Sequence, residues 1–383
     1  MASLDIAAMG ISAPWILHST EWLGTPTERW LDVQVDADQA YDSRLLGSEL
    51  ASGAVMRSRW ILLKRWSPAW MAYRGLFRAG GVSGRWLAAY FRQQRPVAIH
   101  GHFGPSAARI VPLARALDRP LVASFYGMDA SSTIYTGDPR WRERYTTLFH
   151  EAAAFVVEGP RMAQRLSDLG CPPAKIRIVR LPADAQSLVP IERRVGGRFT
   201  VVAAGRFTEK KGFDVAIEAF ARAFRTRDDV ELILIGGGEL ENRYRELIAR
   251  YRIQDKVSIR GRSSFREYLQ TLARAHVAVY PSRTAQNGDS EGGAPVTLIE
   301  GQWLGVPAIV SEHDDLPFVA APEGTLIVPG HDIAGWAEAM LSLYDARPAL
   351  NTMEQAARTF ARTYHAPLEN AEARDRIYNE VQQ

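Results

Sequence analysis

FTVVAAGRFTEKKGFDVAIEAFARAFRTRDDVELILIGGG, residues 199–238, switches twice between two kinds of hydrophobic pattern. FTVVAAG and VELILIGGG are short apolar runs closed by glycine, with no polar face. DVAIEAFARAF, between them, repeats its apolar residues at helical spacing. A short apolar run with no alternation reads as a strand buried on both faces, which is the habit of parallel sheets covered by helices. The pattern continues with the helical ELENRYRELIARY and then the strands KVSIRG, HVAVYPS, VPAIVS and GTLIVP. The second half is therefore expected to be a parallel α/β domain.

The first half carries the same alternation less regularly. WILHSTEWLGTPTERWL reads as a strand, a loop with Gly24 and Pro26, and a helix start at Thr27 and Glu28. VAIHGHFGPSAARIVPLARAL and PLVASFYGMDASS read as strand, loop, helix, strand, loop. AAAFVVEG and KIRIVRLP add two strands around the helix PRMAQRLSDLG. No G-x-G-x-x-G follows the first strand, so a nicotinamide site is not expected. After Pro182 periodicity is lost through ADAQSLVPIERRVGG, the best linker in the chain. The expected division is a first domain over 1–185, a linker over 186–198, a second domain over 199–355 and a helical tail over 356–383.

Composition narrows the class. The 383 residues include no apolar run of about 18, so a spanning helix is not expected. The N-terminus MASLDIAAMGISAPW lacks a basic segment followed by a long apolar core. The lone Cys171 precludes an internal disulfide and suits a reducing cytosol, where it is read as structural. Residues 1–180 carry 22 Lys and Arg against 15 Asp and Glu, and no acid stands between Glu49 and Asp118. Residues 57–95 are read as two basic helices broken around Gly80, Gly81 and Gly84. Their Arg57, Arg59, Lys64, Arg65, Arg74, Arg78, Arg85 and Arg92 are interleaved with Trp60, Trp66, Trp70, Phe77, Trp86, Tyr90 and Phe91. A solvated basic face is one reading. The interface of an anionic membrane explains better why aromatics and arginines coincide where acids are absent. No nucleic-acid-binding motif accompanies the charge, and no nucleic acid is expected.

Candidate chemistry collects at strand ends, where open α/β sheets bind ligands. Arg206 and Lys211, with Lys210 beside them and Gly205 and Gly212 on either side, offer cations and close backbone approach to a diphosphate. Gly236, Gly237 and Gly238 end the next strand. EGGAPVTLIEGQWLG, residues 291–305, reads as an acidic loop opening a helix, with Pro295 at the first helical position and both Glu291 and Glu300 able to address one polyhydroxyl ligand. His100 and His102 alternate on one strand and so share a face. No third ligand is evident nearby, so a polar pair is expected there and no metal site.

GRFTEKKGFDVAIEAF, LILIGGGELENRYRELI, VSIRG, VAVYPS and DSEGGAPVTLIEGQWLGVPAIVS, in that order and spacing, resemble the donor domain of glycosyltransferase family 4, the group 1 glycosyltransferases. HGHFGPSAARIVPLARAL, PLVASFYGMDAS and TPTERWL resemble its acceptor domain more loosely. The resemblance implies the GT-B fold, α/β, with two Rossmann-like domains facing across a cleft and a C-terminal helix crossing back to the first. It implies a retaining, metal-independent hexosyltransferase that needs no cofactor. Its donor would be a nucleotide sugar, UDP-sugar before GDP-sugar, and its acceptor a lipid-linked or polysaccharide saccharide in cell-surface assembly. Such an enzyme would be cytoplasmic and peripheral on the inner face of the membrane. Arg206 and Lys211 match the diphosphate positions, Glu300 the ribose contact and Glu291 the contact to the transferred sugar. Gly205, Gly236 and Gly237 fall in the donor loops. Backbone from Gly293 through Ala294 and Pro295 to Val296 would face sugar and phosphate, and backbone near Arg260 the base. His102, Tyr126 and Asp129 fall on the acceptor side.

Two departures from the family pattern stand out. Eight residues, not seven, separate Glu291 from Glu300, so either the loop bulges or the role of Glu291 passes to backbone or Asp289. Tyr126 stands where the family commonly has histidine; a phenol donates a hydrogen bond but is no ready base at neutral pH. A nucleotide-sugar epimerase of the same fold and a non-catalytic nucleotide-sugar binder are the competing readings.

Overall fold

A computed structural model describes residues 10–11, 14–189, 191, 196–347 and 350–383. The N-terminal segment that bears on a leader, and part of the expected linker, lie outside them. The chain divides into two compact units, Met1–Pro182 with Pro367–Gln383, and Ala183–Ala366.

In the first unit seven parallel strands form one sheet: β1 (Ile16–Ser19), β3 (Arg44–Gly47), β5 (Trp60–Leu62), β6 (Ala98–His102), β7 (Leu121–Ser124), β8 (Ala154–Val157) and β9 (Ile176–Ile178). Their order is β5-β3-β1-β6-β7-β8-β9, and the two-residue strands β2 (Trp22–Leu23) and β4 (Glu49–Leu50) pair beside it. The chain builds outward from β1 on one side, then returns to build outward from β6 on the other. The order thus reverses between β1 and β6, which makes the carboxyl ends of those strands the crevice of the sheet. One face buries Trp15, Phe91, Phe125 and Phe155. The other packs Ile16, Val122 and Val156 against Ile377 and Tyr378 of the C-terminal helix Pro367–Val381.

The second unit repeats the plan with six parallel strands: β10 (Phe199–Ala204), β11 (Val230–Ile235), β12 (Val257–Ile259), β13 (Val277–Tyr280), β14 (Ala308–Ser311) and β15 (Thr325–Val328). Their order is β12-β11-β10-β13-β14-β15, so the reversal falls between β10 and β13. Phe199, Phe207, Phe213, Phe220, Phe224, Tyr244 and Trp336 fill its core. The expected run of strands and helices is found in full here, because its central strands β10, β13 and β14 are buried along their whole length.

Three expectations are corrected. The described part of the linker expected over 186–198 goes with the second unit, which starts at Ala183 and opens on a helical turn, Ala185–Leu188. The boundary at 355 falls inside the helix Leu350–Tyr364. That helix stays with the second unit, burying Leu350, Ala357 and Ala361, and only the helix beginning at Pro367 joins the first. Finally, residues 57–95 do not form two helices. After β5 a single helix, Pro68–Ala88, runs through Gly80, Gly81 and Gly84. Ser67 caps its start by accepting a hydrogen bond from the Trp70 N–H, and Pro68 takes the first helical position. Gly84 is there for contact: a Cβ would collide with the carbonyl of Pro112 on the neighbouring helix Gly104–Leu117.

Candidate functional site

At the β10/β13 reversal the two adjoining loops are tied together residue by residue. A 3-10 turn, Glu209–Lys211, follows β10. Its Lys210 carbonyl accepts from Arg283 N–H at 2.9 Å, and the Glu209 carboxylate accepts from Gln286 N–H at 3.1 Å. Lys210 Nζ, buried, donates to Asp289 Oδ1 at 3.0 Å and to the Ser290 carbonyl at 3.2 Å. Lys211 Nζ meets Glu291 Oε1 at 2.5 Å. The other carboxylate oxygen, Glu291 Oε2, is buried with no hydrogen-bond partner among the described residues. Burial works against ionisation of this carboxyl. The charges of Lys211 and Lys210, the Lys211 hydrogen bond and the charge of Arg206 outweigh it and hold its pKa below the ordinary range. The loops approach closely because of glycine. Gly212 has φ 63° and a Cβ there would strike the Pro281 carbonyl; a Cβ on Gly236 would strike that of Gly205.

The extra residue between Glu291 and Glu300 is taken up as a tight turn. Gly292 adopts φ 69° and Gly293 N–H donates to the Glu291 carbonyl at 2.8 Å. Glu291, not Asp289, therefore stands beside Lys211. That turn also commits the Gly293 N–H inside the protein, which corrects its expected role toward a ligand. Pro295, without an N–H, is the N-cap, so the helix starts one residue later than expected, at Val296 (Val296–Leu304). Glu300 lies one turn in and is buried, accepting from Tyr268 Oη at 2.6 Å. Arg206 is exposed, as is Arg260, whose N–H bonds the Leu234 carbonyl at 2.9 Å. Gly205 and Gly237 join the strand-end ladder through Gly205 N–H to Ile235 and Phe207 N–H to the Gly237 carbonyl, both at 3.0 Å.

In the first unit the carboxyl ends of β1, β6 and β7 hold a cluster that sequence spacing did not reveal. His100 and His102 share a face as expected, but His18 from β1 joins them. His18 Nδ1 lies 2.8 Å from His102 Nε2, and His102 Nδ1 lies 2.6 Å from Tyr126 Oη. His100 Nδ1 is 2.7 Å from Tyr378 Oη and its Nε2 2.7 Å from Ser124 Oγ. Beneath His18, Ser43 Oγ donates to Asp38 Oδ2 at 2.5 Å, and Asp38 Oδ1 pairs with the buried Arg374 at 2.7 Å. All three imidazoles are pushed toward the neutral form, foremost by burial. Three histidine nitrogens within 4.8 Å of one another have the composition of a metal site. Their geometry is that of a hydrogen-bonded stack: the His18 and His102 rings lie 11° from parallel, and 2.8 Å is shorter than the roughly 3.3 Å between two nitrogens on one tetrahedral zinc.

Tyr126 is half-buried at the edge of this stack, its ring centroid 4.3 Å from that of Trp30. Asp129, read as an acceptor-side group, has both oxygens committed: Oδ2 accepts from Gly104 N–H at 2.9 Å and Oδ1 from Tyr126 N–H at 3.0 Å. It pins the turn that carries Tyr126. His102 likewise reaches a ligand only through Tyr126. The partners that sequence reading missed, His18, Asp38, Arg374, Tyr378 and Tyr268, come from distant parts of the chain. One signal was available: a histidine directly after the apolar Ile16 and Leu17 of a central strand.

The basic segment sorts into two kinds of side chain. Arg57, Arg59 and Arg74 pair with Asp36, Asp42 and Glu21, acids outside the acid-free stretch. Lys64, Arg65, Arg78, Arg85 and Arg92 are exposed and make no ion pair among the described residues. On the helix Pro68–Ala88 the exposed Met71, Arg74, Arg78, Val82 and Arg85 follow a spacing of three and four, with Trp86 beside them and Trp66 before the helix. Trp60 and Phe91 are instead core residues. Among the described residues no helix is long and apolar enough to cross a membrane.

Two α/β units, each with its charged or polar cluster at a sheet reversal, are the plan of the GT-B glycosyltransferases. Two family models divide most of the chain between them: glycosyl transferases group 1 matches residues 186–360, and glycosyltransferase family 4 matches residues 50–187. The chain belongs to the group 1 glycosyltransferase family. It is 31% identical over 241 residues to the putative colanic acid biosynthesis glycosyltransferase WcaL of Salmonella typhimurium, covering 60% of this chain and 57% of that protein. It is 28% identical over 238 residues to the amylovoran biosynthesis glycosyltransferase AmsK of Erwinia amylovora, covering 61% and 56%. The chain thus spans less than two thirds of the length of these relatives. In structure it resembles Anabaena Alr3699/HepE, crystallised in complex with UDP, with a TM-score of 0.74 over 96% of this chain and all of that one at 13% identity.

Proposed function

We propose that the protein is a retaining glycosyltransferase that moves a hexose from a nucleotide sugar to a lipid-linked saccharide during cell-surface polysaccharide assembly. The observation that carries this reading is the Lys211–Glu291 pair with Glu291 Oε2 buried and unpartnered. A buried carboxylate oxygen without a donor is costly, and a sugar hydroxyl is the kind of donor that satisfies it. Lys211 and Arg206 lie beside it as cations for the leaving diphosphate, a role that develops in the transition state and needs no divalent metal. Thr208 Oγ1 and Thr297 Oγ1, also buried without partners, add two further groups for an oxygen-rich ligand on the same loops. Glu300, one helical turn from the loop, is assigned to the ribose.

The polysaccharide setting is supported by the names of WcaL and AmsK, and a UDP-sugar by the UDP held in HepE. A lipid-linked acceptor and a seat on the inner face of the membrane agree with the exposed basic and apolar stripe on Pro68–Ala88. The first experiment is a thermal-shift panel of UDP-glucose, UDP-galactose, UDP-N-acetylglucosamine and GDP-mannose, with EDTA present. Stabilisation by one nucleotide sugar, followed by transfer to an added acceptor with retained anomeric configuration, is the expected result. Isomerised sugar nucleotide with donor alone would mean an epimerase. Stabilisation without any turnover would mean a binding protein.

A further inference from the structure

The imidazole stack in the first unit has a direction, and the hydrogen-bond inventory fixes it. Asp38 is an anion: burial opposes this, but Arg374, His18 and Ser43 bring its pKa to about 2. A carboxylate only accepts, so the Ser43 hydroxyl proton points to Asp38 Oδ2. Ser43 Oγ, 3.2 Å from His18 Nε2, is then left as an acceptor, and Asp38 Oδ2 lies 3.5 Å from the same nitrogen. Nε2 of His18 therefore carries the proton. A neutral His18 has a bare Nδ1, so the 2.8 Å contact is filled by a proton on His102 Nε2. His102, also neutral, then has a bare Nδ1, and the 2.6 Å contact is filled by the hydroxyl proton of Tyr126. Tyr126 has one proton, and it points inward to His102, so Ser124, which also hydrogen-bonds this phenol, is left to donate to it.

We propose that Tyr126 meets a sugar as a hydrogen-bond acceptor and not as a donor, and that His102, His18, Ser43 and Asp38 are positioning residues that set this polarity. The ligand must bring a hydroxyl that donates. This amends the expectation that the phenol itself donates. It also accounts for tyrosine standing where the family commonly has histidine: a neutral imidazole that gave one N–H to His102 would present its other nitrogen outward as an acceptor too. That the ligand is a sugar rests on the function proposed above. The polarity itself does not.

The test is histidine tautomer NMR on the full chain labelled with 15N-histidine, with no ligand needed, near neutral pH. The eight histidines are separated by substitution. His18 and His102 should each be neutral with the proton on Nε2. In Tyr126→Phe the His102 Nδ1 resonance should move to that of an unbonded acceptor while the tautomer stays. Asp38→Asn is the sharper variant. Its amide oxygen keeps the place facing Arg374, its NH2 replaces Oδ2, and every link reverses, so the His102 proton should move to Nδ1 although Asp38 does not touch His102. A proton on His102 Nδ1 in the wild type, or no change at His102 in folded Asp38→Asn, overturns the proposal. Turnover supplies a second arm, with whichever of UDP-glucose or GDP-mannose reacts. Tyr126→Phe should lower kcat/KM by roughly 3- to 10-fold, the worth of one neutral hydrogen bond. Tyr126→His should restore it. At one sugar position, replacement of hydroxyl by fluorine should cost as much as replacement by hydrogen, because fluorine does not donate. A fluorinated sugar that keeps its rate there while the deoxy sugar loses it would also overturn the assignment. Failure of every nucleotide sugar to react would count against the proposed function and leave the tautomer result to decide the polarity.

Discussion

Lys211 Nζ and Glu291 Oε1 sit 2.5 Å apart, although 80 residues separate them in the chain, and the pair spans the point where the strand order of the second sheet reverses. Both side chains are largely buried, so neither is free to find water if the other is removed. Lys211→Met should destabilise the protein by about 1–3 kcal/mol, the cost of a buried group left unpaired, and adding Glu291→Gln should recover part of it. Urea unfolding of the two variants measures this. Because Glu291 titrates below its ordinary value, its share of stability is fully present above the unfolded glutamate pKa near 4.3 and is lost as pH falls below it. In Lys211→Met that acid-side loss should shrink. Turnover by Lys211→Met should drop about 100-fold or more, as when an electrostatic stabiliser of the leaving group is deleted. An unchanged rate would remove Lys211 from the diphosphate.

Arg374 is the buried anchor between the C-terminal helix and the end of the helix Arg29–Ala37. Its Nη2 bonds Asp38 Oδ1 at 2.7 Å and the Gln34 carbonyl at 2.8 Å. Arg374→Met deletes one partner of a buried ion pair and should cost about 3–5 kcal/mol. Asp38, held down to about pH 2, contributes stability that is present above the unfolded aspartate pKa near 3.9 and is lost as pH falls toward 2. In Arg374→Met the anion loses its partner and this acid dependence should flatten or reverse. Thermal unfolding at pH 3, 5 and 7 separates the two profiles. Equal losses at all three values would mean that the ion pair is not the cause.

The second unit was legible because its strands are mostly apolar runs that end at glycine or proline, and the helices between them keep a 3.6-residue period. In the first unit β3 and β5, RLLG and WIL, went unread because three or four residues flanked by arginine carry no clear period. The meeting of Lys211 and Glu291 was legible too, because each follows a strand end, and strand ends of a parallel sheet converge at one edge. What the sequence hid was of another kind. His18, Asp38 and Arg374 lie in three segments that only the closed sheet and the returning C-terminal helix bring together. Gly84 reads as a helix breaker in isolation; its function is to let two helices touch. The extra residue before Glu300 was visible as a count, but only the φ of Gly292 disclosed that the turn absorbs it and leaves Glu291 in place.

Asp129 is a carboxyl whose burial raises its pKa to about 6, against the pull of backbone N–H groups led by Gly104 and Tyr126. The sign is opposite to that of Asp38. A raised acid binds its proton more tightly in the folded state, so stability falls as pH rises from about 4 through 6 and is level above that. Asp129→Asn should shrink this slope to the part left by Asp375, a second carboxyl that burial raises to about 6. It should also destabilise at neutral pH by about 1–3 kcal/mol, because an amide offers one acceptor where two N–H groups need one each. Urea titrations from pH 4 to 8 measure both effects. A slope unchanged in Asp129→Asn would assign it to Asp375.

The stripe on Pro68–Ala88 predicts binding to anionic vesicles in two separable parts. Arg78 and Arg85 are exposed without ion pairs, and each basic residue near an anionic surface is worth about 1 kcal/mol. Arg78→Ala with Arg85→Ala should therefore weaken sedimentation with phosphatidylserine vesicles roughly 30-fold at low salt, and by much less at high salt, where the surface potential is screened. Trp66 and Trp86, 69% and 64% exposed, act through apolar area. Trp66→Ala with Trp86→Ala should weaken binding at both salt concentrations. Arg78 and Arg85 lie off the core, so that pair should leave thermal stability unchanged; Trp66 packs on Trp70, which lies against the core, so the tryptophan pair should lower it slightly. If the wild type ignores anionic vesicles at low salt, the stripe is a solvated face and the membrane seat is lost, while the Lys211–Glu291 site is untouched by that result.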